Sequence, residues 1–165
     1  VGDDVDIEIL DAAEKTGNIV QILSRKNELI RPAVANVDQA LVVFAVTEPK
    51  PHFNLLDRFL VMMESKEIPV VLCFNKKDIA SQPELKELQE IYSACGYRVI
   101  FTSALNEENI GTVKEVLLGK TTVIAGPSGV GKSSLINLLQ TEIRMETGSI
   151  SKRLQEESTQ PDIPS

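Results

Sequence analysis

Aromatic side chains are scarce in this sequence. Among its 165 residues there is no tryptophan, and aromatic residues make up only 4%. A folded core must therefore be mostly aliphatic. The hydrophobic fraction of 42% is ordinary for a globular protein, and the length allows one well-packed domain with part of a second.

Soft metal ligands are also few. The chain has one histidine, His52, and two cysteines without a CxxC partner, so no zinc site is expected. Cys73 lies in an apolar run and Cys95 lies near the end of a predicted helix. Both are predicted to be buried, reduced thiols.

Positive charge and long apolar runs are lacking as well. The net charge of -7 leaves no general basic surface for nucleic acid, so DNA is not an expected partner and any RNA contact must be local. No apolar stretch approaches the roughly 20 residues that span a membrane, and the first residues carry no basic segment leading an apolar one. These features predict a cytoplasmic protein without membrane contact.

The first 33 residues have the pattern of a small β-domain. Val5, Ile7 and Ile9 alternate with acidic residues, and a second strand pattern at 18–23 follows a turn signal. Too few apolar residues are present to form a core alone. We therefore predict part of a β-domain at residues 1–33, with Arg31-Pro32 at its exit because proline favours an extended residue before it.

From Ala40 onward, strand and helix patterns alternate, which is typical of a parallel sheet covered by helices. The predicted α/β domain occupies residues 34–154, whereas residues 155–165 are polar, without periodicity, and are predicted to be a disordered tail. Strands are expected at 41–46, 70–74, 98–102 and 121–125, and helices at 53–65, 81–95, 107–118 and from 132.

A phosphate-binding loop follows the last predicted strand. It matches GxxxxGK[ST] at every fixed position, through Gly126, Pro127, Ser128, Gly129, Val130, Gly131, Lys132 and Ser133. Backbone N–H groups and a helix N-terminus would surround an anion there. Lys132 is expected to reach the β and γ phosphates and Ser133 to hold Mg²⁺. The alternative is a glycine-rich turn that only lets strand and helix pack.

Two further motifs each follow a predicted strand. Asn75-Lys76-Lys77-Asp78 matches NKxD, in which the Asp78 carboxylate can accept from both N1–H and the 2-amino group of guanine, and Lys76 can lie along the base. Thr102-Ser103-Ala104-Leu105 resembles the GTPase segment whose backbone N–H faces guanine O6. Each signal is weak alone, but the carboxyl ends of parallel strands share one crevice. The predicted nucleotide-binding residues are Asn75, Lys76, Asp78, Ser103, Ala104, Leu105, residues 126–133 and Ser134.

The order of these motifs is reversed relative to Ras-like GTPases, because NKxD precedes the phosphate loop. Together with the strings at 31–39 and 126–137, this order closely resembles the circularly permuted ribosome-small-subunit-dependent GTPases, the RsgA family. The resemblance implies an OB-fold before a circularly permuted P-loop GTPase domain, and GTP or GDP with magnesium as ligands. It also implies catalytic roles for Lys132 and Ser133, slow GTP hydrolysis stimulated by the small ribosomal subunit and its rRNA, and a role in late subunit maturation.

Departures from the family predict a fragment with weak hydrolysis. Only the end of an OB-fold is visible, and the family's C-terminal zinc domain is not. After Lys152 the family's threonine-bearing switch and DxPG motif are not recognisable. Thr159 and residues 162–165 resemble them only weakly. Without the strand before DxPG, the strand at 121–125 would be an open edge, so self-association is expected.

Two other functions remain open at this stage. The string GPSGVGKS also resembles the phosphate loop of guanylate kinases, although only about thirty residues follow it here and such kinases need a long body after the loop. A scaffold that binds no nucleotide is the third reading. Nucleotide protection against thermal unfolding would separate it from the other two.

Overall fold

The structure is a computed structural model that describes residues 1–30 and 33–144, with side chains described up to residue 141. Outside the described residues lie the predicted exit at Arg31-Pro32 and residues 145–165. The predicted tail and the weak matches to the switch motifs belong to the latter range. Within them, no helix is both long and apolar enough to cross a membrane.

The N-terminal segment forms two antiparallel pairs, as expected for part of an OB-like domain. β1 (Val5–Asp11) pairs with β2 (Thr16–Ile22), and β3 (Glu28–Leu29) pairs with β4 (Val34–Ala35). The predicted boundary after residue 33 lies just before β4 and stays a prediction. The hairpin exposes most of its large apolar side chains, namely Ile7, Ile9, Leu10, Ile19, Val20 and Ile22.

A four-stranded parallel sheet forms the centre of the remaining chain. Its strands are β5 (Gln39–Ala45), β6 (Val70–Asn75), β7 (Arg98–Phe101) and β8 (Thr122–Ala125), in the order β7-β6-β5-β8. Every residue of β5 is buried, because this strand has neighbours on both sides and helices on both faces. The continuous apolar run in the sequence reflects that position.

Helices cover both faces of the sheet. α1 (Phe53–Ser65) and α2 (Gln82–Ala94) pack on one face, around a core that includes Leu56 and Tyr92. α3 (Ile110–Leu117) and α4 (Lys132–Arg144) pack on the other face, around Val113 and Leu135. This layering confirms the predicted α/β class.

The start of α2 matches its sequence signal, whereas the start of α3 does not. Ser81 and Glu84 form the predicted capping box, with Ser81 N donating to Glu84 Oε2 at 2.8 Å. α3 begins at Ile110 instead of 107, because Asn109 adopts the left-handed conformation with φ of 60° and Glu108 pairs with Ser103 in an isolated β-bridge. Residues 103–109 therefore form a closed turn before the helix.

The prediction of two buried thiols is wrong for one of them. Cys73 on β6 is buried, but Cys95 is exposed. Cys95 occupies the C-cap of α2, one turn beyond the buried Tyr92, where the helix no longer packs against the sheet. The apolar stripe of α2 thus ends one turn earlier than its spacing indicates.

Candidate nucleotide site

Three loops meet at one edge of the sheet. They follow β6, β7 and β8, and because these strands are parallel their carboxyl ends lie on the same side. The structure therefore brings together the NKxD segment, the Ser103-Ala104-Leu105 segment and the phosphate loop, as the sequence predicted.

The side chain of Asn75 connects all three loops. It is only 2% exposed, and its Nδ2 donates to Val130 O of the phosphate loop at 3.0 Å. Its Oδ1 accepts from Thr102 Oγ1 at 3.1 Å and from Ala104 N at 3.0 Å. The Asn75 carboxamide makes these hydrogen bonds to protein groups of all three loops. Asn75 therefore fixes the positions of the loops relative to one another.

Packing against the protein explains the glycines at the two ends of the phosphate loop. A Cβ atom on Gly126 would lie 2.0 Å from Val43 O of β5. A Cβ atom on Gly131 would lie 2.3 Å from Asn75 Nδ2, and Gly131 also has a φ of +91°. The loop can approach the sheet this closely only because both positions lack side chains.

The ammonium group of Lys132 lies within the phosphate loop. Its Nζ donates to Gly126 O at 2.7 Å and to Pro127 O at 2.5 Å, and burial lowers the pKa of this lysine. Ser133 and Ser134 follow in the first turn of α4 with exposed side chains. The lysine and the helix N-terminus thus both face the loop, an arrangement that favours an anion.

The rest of the loop alternates between anchored and accessible residues. Val130 is buried in the core beneath α4, whereas Ser128 and Gly129 are exposed at the tip. Since Val130 O is the acceptor for Asn75 Nδ2, this residue holds the loop through both its side chain and its backbone.

Asp78 lies on a 3₁₀ turn, Lys77–Ile79, directly after β6. Its Oδ1 accepts from Ser103 Oγ at 2.7 Å, and its other carboxylate oxygen has no hydrogen bond to the described residues. Lys76 adopts the left-handed conformation, and its Nζ donates to Glu48 O at 2.6 Å. The exposed carboxylate is oriented by Ser103 and directed away from the core.

Two residues of this region were not among the predicted site residues. Lys77 Nζ forms an ion pair with Glu108 Oε2 at 2.8 Å, and Lys77 holds the pKa of Glu108 below its ordinary value. Lys77 is the unspecified position of NKxD, and Glu108 is 31 residues away in the sequence. No local signal in the sequence could have paired them.

The Ser103-Ala104-Leu105 segment differs in detail from its expected role. The Ser103-Ala104 pair is expected to present a backbone N–H to guanine O6, but Ser103 N donates to Glu108 O at 3.3 Å and Ala104 N donates to Asn75 Oδ1 at 3.0 Å. The N–H of Leu105 has no acceptor within the described residues, and its side chain is 81% exposed. The N–H of Leu105, unlike that of Ala104, therefore remains available for a ligand.

A magnesium ion would find a suitable protein ligand in Ser133. Its hydroxyl is exposed at the start of α4 and has no hydrogen bond to the described residues. A hydroxyl oxygen is the type of hard ligand that Mg²⁺ takes alongside phosphate oxygens and water. The residue present thus fits the ion that the motif implies.

The sequence matches a known family over most of its length. Residues 22–158 fit the family described as RsgA GTPase. The chain belongs to this family. Several curated relatives carry the name Small ribosomal subunit biogenesis GTPase RsgA, among them the following two. The one from Agathobacter rectalis is 57% identical over 155 residues, with 94% of this chain and 51% of the relative covered. The one from Alkaliphilus metalliredigens is 49% identical over 154 residues, with 93% and 53% covered.

Solved structures of related proteins share the fold. The crystal structure of YjeQ from Thermotoga maritima has a TM-score of 0.77 and 42% identity, covering 84% of this chain and 50% of that one. YloQ, described as a circularly permuted GTPase, has a TM-score of 0.71 and 41% identity, covering 83% and 48%. These matches confirm the permuted GTPase fold and give the guanylate kinase alternative no support. The chain spans about half the length of the curated relatives it matches.

Proposed function

We propose that this chain is the guanine-nucleotide-binding core of a GTPase that hydrolyses GTP to GDP. The observation that carries the proposal is the carboxamide of Asn75, which joins the base-reading loop to the phosphate loop. Residues 34–154 would form this core, and residues 1–33 would belong to an OB-fold. The names of the relatives support a role of the whole protein in biogenesis of the small ribosomal subunit. A role late in that process and contact with the rRNA of the subunit belong to the proposal and rest on the family resemblance alone.

Base selection would come from Asp78. A carboxylate offers two acceptors side by side, which match the N1–H and 2-amino groups of guanine and find no such donor pair on adenine. Ser103 already holds Oδ1 at 2.7 Å, so the carboxylate has a fixed orientation before the base arrives. Lys76 would cover the base with its aliphatic stem, and the N–H of Leu105, which has no acceptor within the described residues, would face the 6-oxo group.

Phosphate binding would come from the loop backbone, Lys132 and Ser133. The Lys132 ammonium, held by carbonyls of its own loop, would exchange these acceptors for phosphate oxygens and neutralise their charge. Ser133 would hold Mg²⁺, which supplies charge stabilisation at the β and γ phosphates when bound. Lys132 and Ser133 are therefore the catalytic residues that we assign.

Hydrolysis by this chain alone should be weak. Positioning of water and γ-phosphate accounts for many orders of magnitude in phosphoryl transfer, and the sequence after Lys152 lacks a recognisable switch motif. We therefore expect tight GDP binding together with slow turnover and little stimulation by small ribosomal subunits.

Calorimetric titration against GDP, GTP, ADP and GMP tests the binding function. At least about a hundredfold preference for GDP over ADP is expected from two hydrogen bonds to a charged group. Equal affinity for GDP and ADP would refute guanine specificity.

Single-turnover GTP hydrolysis with and without small ribosomal subunits tests the activity. Strong stimulation would show that the tail supplies a working switch.

We also propose that β8 can mediate self-association. Within the described residues β8 has one neighbour, β5, so its other edge presents backbone groups that another chain can pair with. Sedimentation velocity over a hundredfold concentration range would show a rising mean mass. A constant monomer mass would refute the proposal.

A further inference from the structure

The turn that carries Ala104 and Leu105 is attached to the base-reading loop at two points. At its beginning, Ser103 Oγ donates to Asp78 Oδ1 at 2.7 Å. At its end, Glu108 Oε2 accepts from Lys77 Nζ at 2.8 Å. Because Lys77 and Asp78 are consecutive, both attachments converge on the same short 3₁₀ turn.

Backbone hydrogen bonds make residues 103–108 a closed unit. Ser103 N donates to Glu108 O at 3.3 Å, and Glu108 N donates to Ser103 O at 2.9 Å. Within the turn, Asn106 N donates to Ser103 Oγ at 3.1 Å. A movement of Glu108 would therefore be transmitted through Ser103 to the N–H of Leu105, because the ends of the turn are joined by backbone hydrogen bonds.

We infer that the Lys77–Glu108 ion pair is a positioning device for recognition of the purine 6-position. In the proposed site Asp78 reads the N1–H and 2-amino groups of guanine, whereas the turn at 103–108 would direct the N–H of Leu105 toward the 6-oxo group. The ion pair sets the angle between these two recognition elements. This inference rests on the proposed guanine-binding function and adds two residues to it.

The partial burial of the pair is consistent with this role. The side chains of Lys77 and Glu108 are 34% and 42% exposed, so the pair is screened by solvent and contributes modestly to stability. A modest energy is sufficient to orient a turn that its own hydrogen bonds already keep closed. Lys77 N also donates to Thr102 O at 3.0 Å, which fixes the lysine backbone relative to the end of β7.

A comparison of GDP with 6-thio-GDP separates positioning from general stability. The two ligands present the same N1–H and 2-amino groups to Asp78 and differ only at position 6, where sulfur is the weaker acceptor. Glu108→Gln removes the ion pair while keeping the side-chain size. The matched control is Glu107→Gln, which removes the same charge from the neighbouring exposed residue, whose side chain has no partner within the described residues.

Glu108→Gln should weaken GDP binding by about threefold, in the range of a partly exposed ion pair, and change 6-thio-GDP binding less than about 1.5-fold. Glu107→Gln should leave both dissociation constants unchanged. The charge-swapped double variant Lys77→Glu with Glu108→Lys should restore the parent's preference for GDP over 6-thio-GDP.

Three outcomes would overturn the inference or its basis. If Glu108→Gln weakens both ligands equally, the pair stabilises the loop without positioning it. If Glu108→Gln behaves like Glu107→Gln while the parent binds GDP tightly, the pair has no role in recognition and the proposed function stands. If the parent itself does not distinguish GDP from ADP, the proposed function fails as well.

Discussion

Asn75 Nδ2 occupies the space that a side chain on Gly131 would need. The distance from that nitrogen to a Cβ atom built on Gly131 is 2.3 Å, and the same nitrogen donates to Val130 O at 3.0 Å. The last glycine of the phosphate loop is therefore required by Asn75 of the NKxD motif. The NKxD motif and the phosphate loop lie more than fifty residues apart in the sequence, but they contact each other directly in the structure.

Gly131→Ala should destabilise the protein. The new Cβ displaces the buried Asn75 amide, and alanine is strained at a φ of +91°, which by itself costs about 1–3 kcal/mol. Gly111→Ala is the matched control, because a Cβ there meets nothing within 4 Å at the start of α3. Urea unfolding should show a lower midpoint for the first variant and an equal or higher one for the second. Equal midpoints for both would show that Asn75 moves aside freely.

Asp78→Asn should change the base preference. The substitution places an amide donor opposite the 2-position of the base, which disfavours the 2-amino group of guanine and favours the 2-oxo group of xanthine. Competition between GDP and xanthosine diphosphate measures the change, with Asp57→Asn on the exposed side of α1 as the charge-matched control. An unchanged ratio in Asp78→Asn would remove this residue from base recognition.

Lys132→Ala should weaken GTP and GDP binding by about 1.5–3 kcal/mol, the usual contribution of a hydrogen bond to a charged group. Ser133→Ala should instead reduce the gain in affinity that Mg²⁺ provides. Titrations with and without Mg²⁺ measure both effects, and Lys66→Ala, which changes an exposed lysine after α1, is the control. Parent-like binding by both site variants would make the loop purely structural.

The two cysteines should differ in reactivity. Burial raises the pKa of the Cys73 thiol from 9.0 to about 11, whereas Cys95 is exposed. At pH 8 a thiol reagent should modify one thiol rapidly in the folded protein and both after unfolding, because the thiolate is the reacting species. Mass spectrometry of digested protein identifies the site. Rapid modification of Cys73 in the folded state would contradict its burial.

Cys73 also predicts a pH dependence of stability. Between pH 9.0 and about 11 the unfolded chain loses the thiol proton, whereas the folded protein keeps it. The contribution of this thiol to the free energy of unfolding is therefore complete below pH 9.0. It declines as pH rises from there toward about 11. Cys73→Ala in parallel urea titrations should flatten this decline, and an equally steep decline in the variant would assign it to other groups.

The sequence by itself determined the sheet, the helices and the motif residues. Strands buried on both faces appear as continuous apolar runs, and the phosphate loop and NKxD are recognised as short patterns of neighbouring residues. Their reversed order indicated the permuted fold. These features depend on neighbouring residues, so a single sequence contains them.

Only the tertiary structure decided how the motifs are joined. The Asn75 contacts to Val130 and Ala104 and the Lys77–Glu108 pair connect residues that are 29 to 55 positions apart. Nothing local specifies such partners, because they depend on the loops that parallel strands bring to one edge. The exposure of Cys95 and the late start of α3 have the same origin, since packing and the Ser103–Glu108 turn override the helical periodicity.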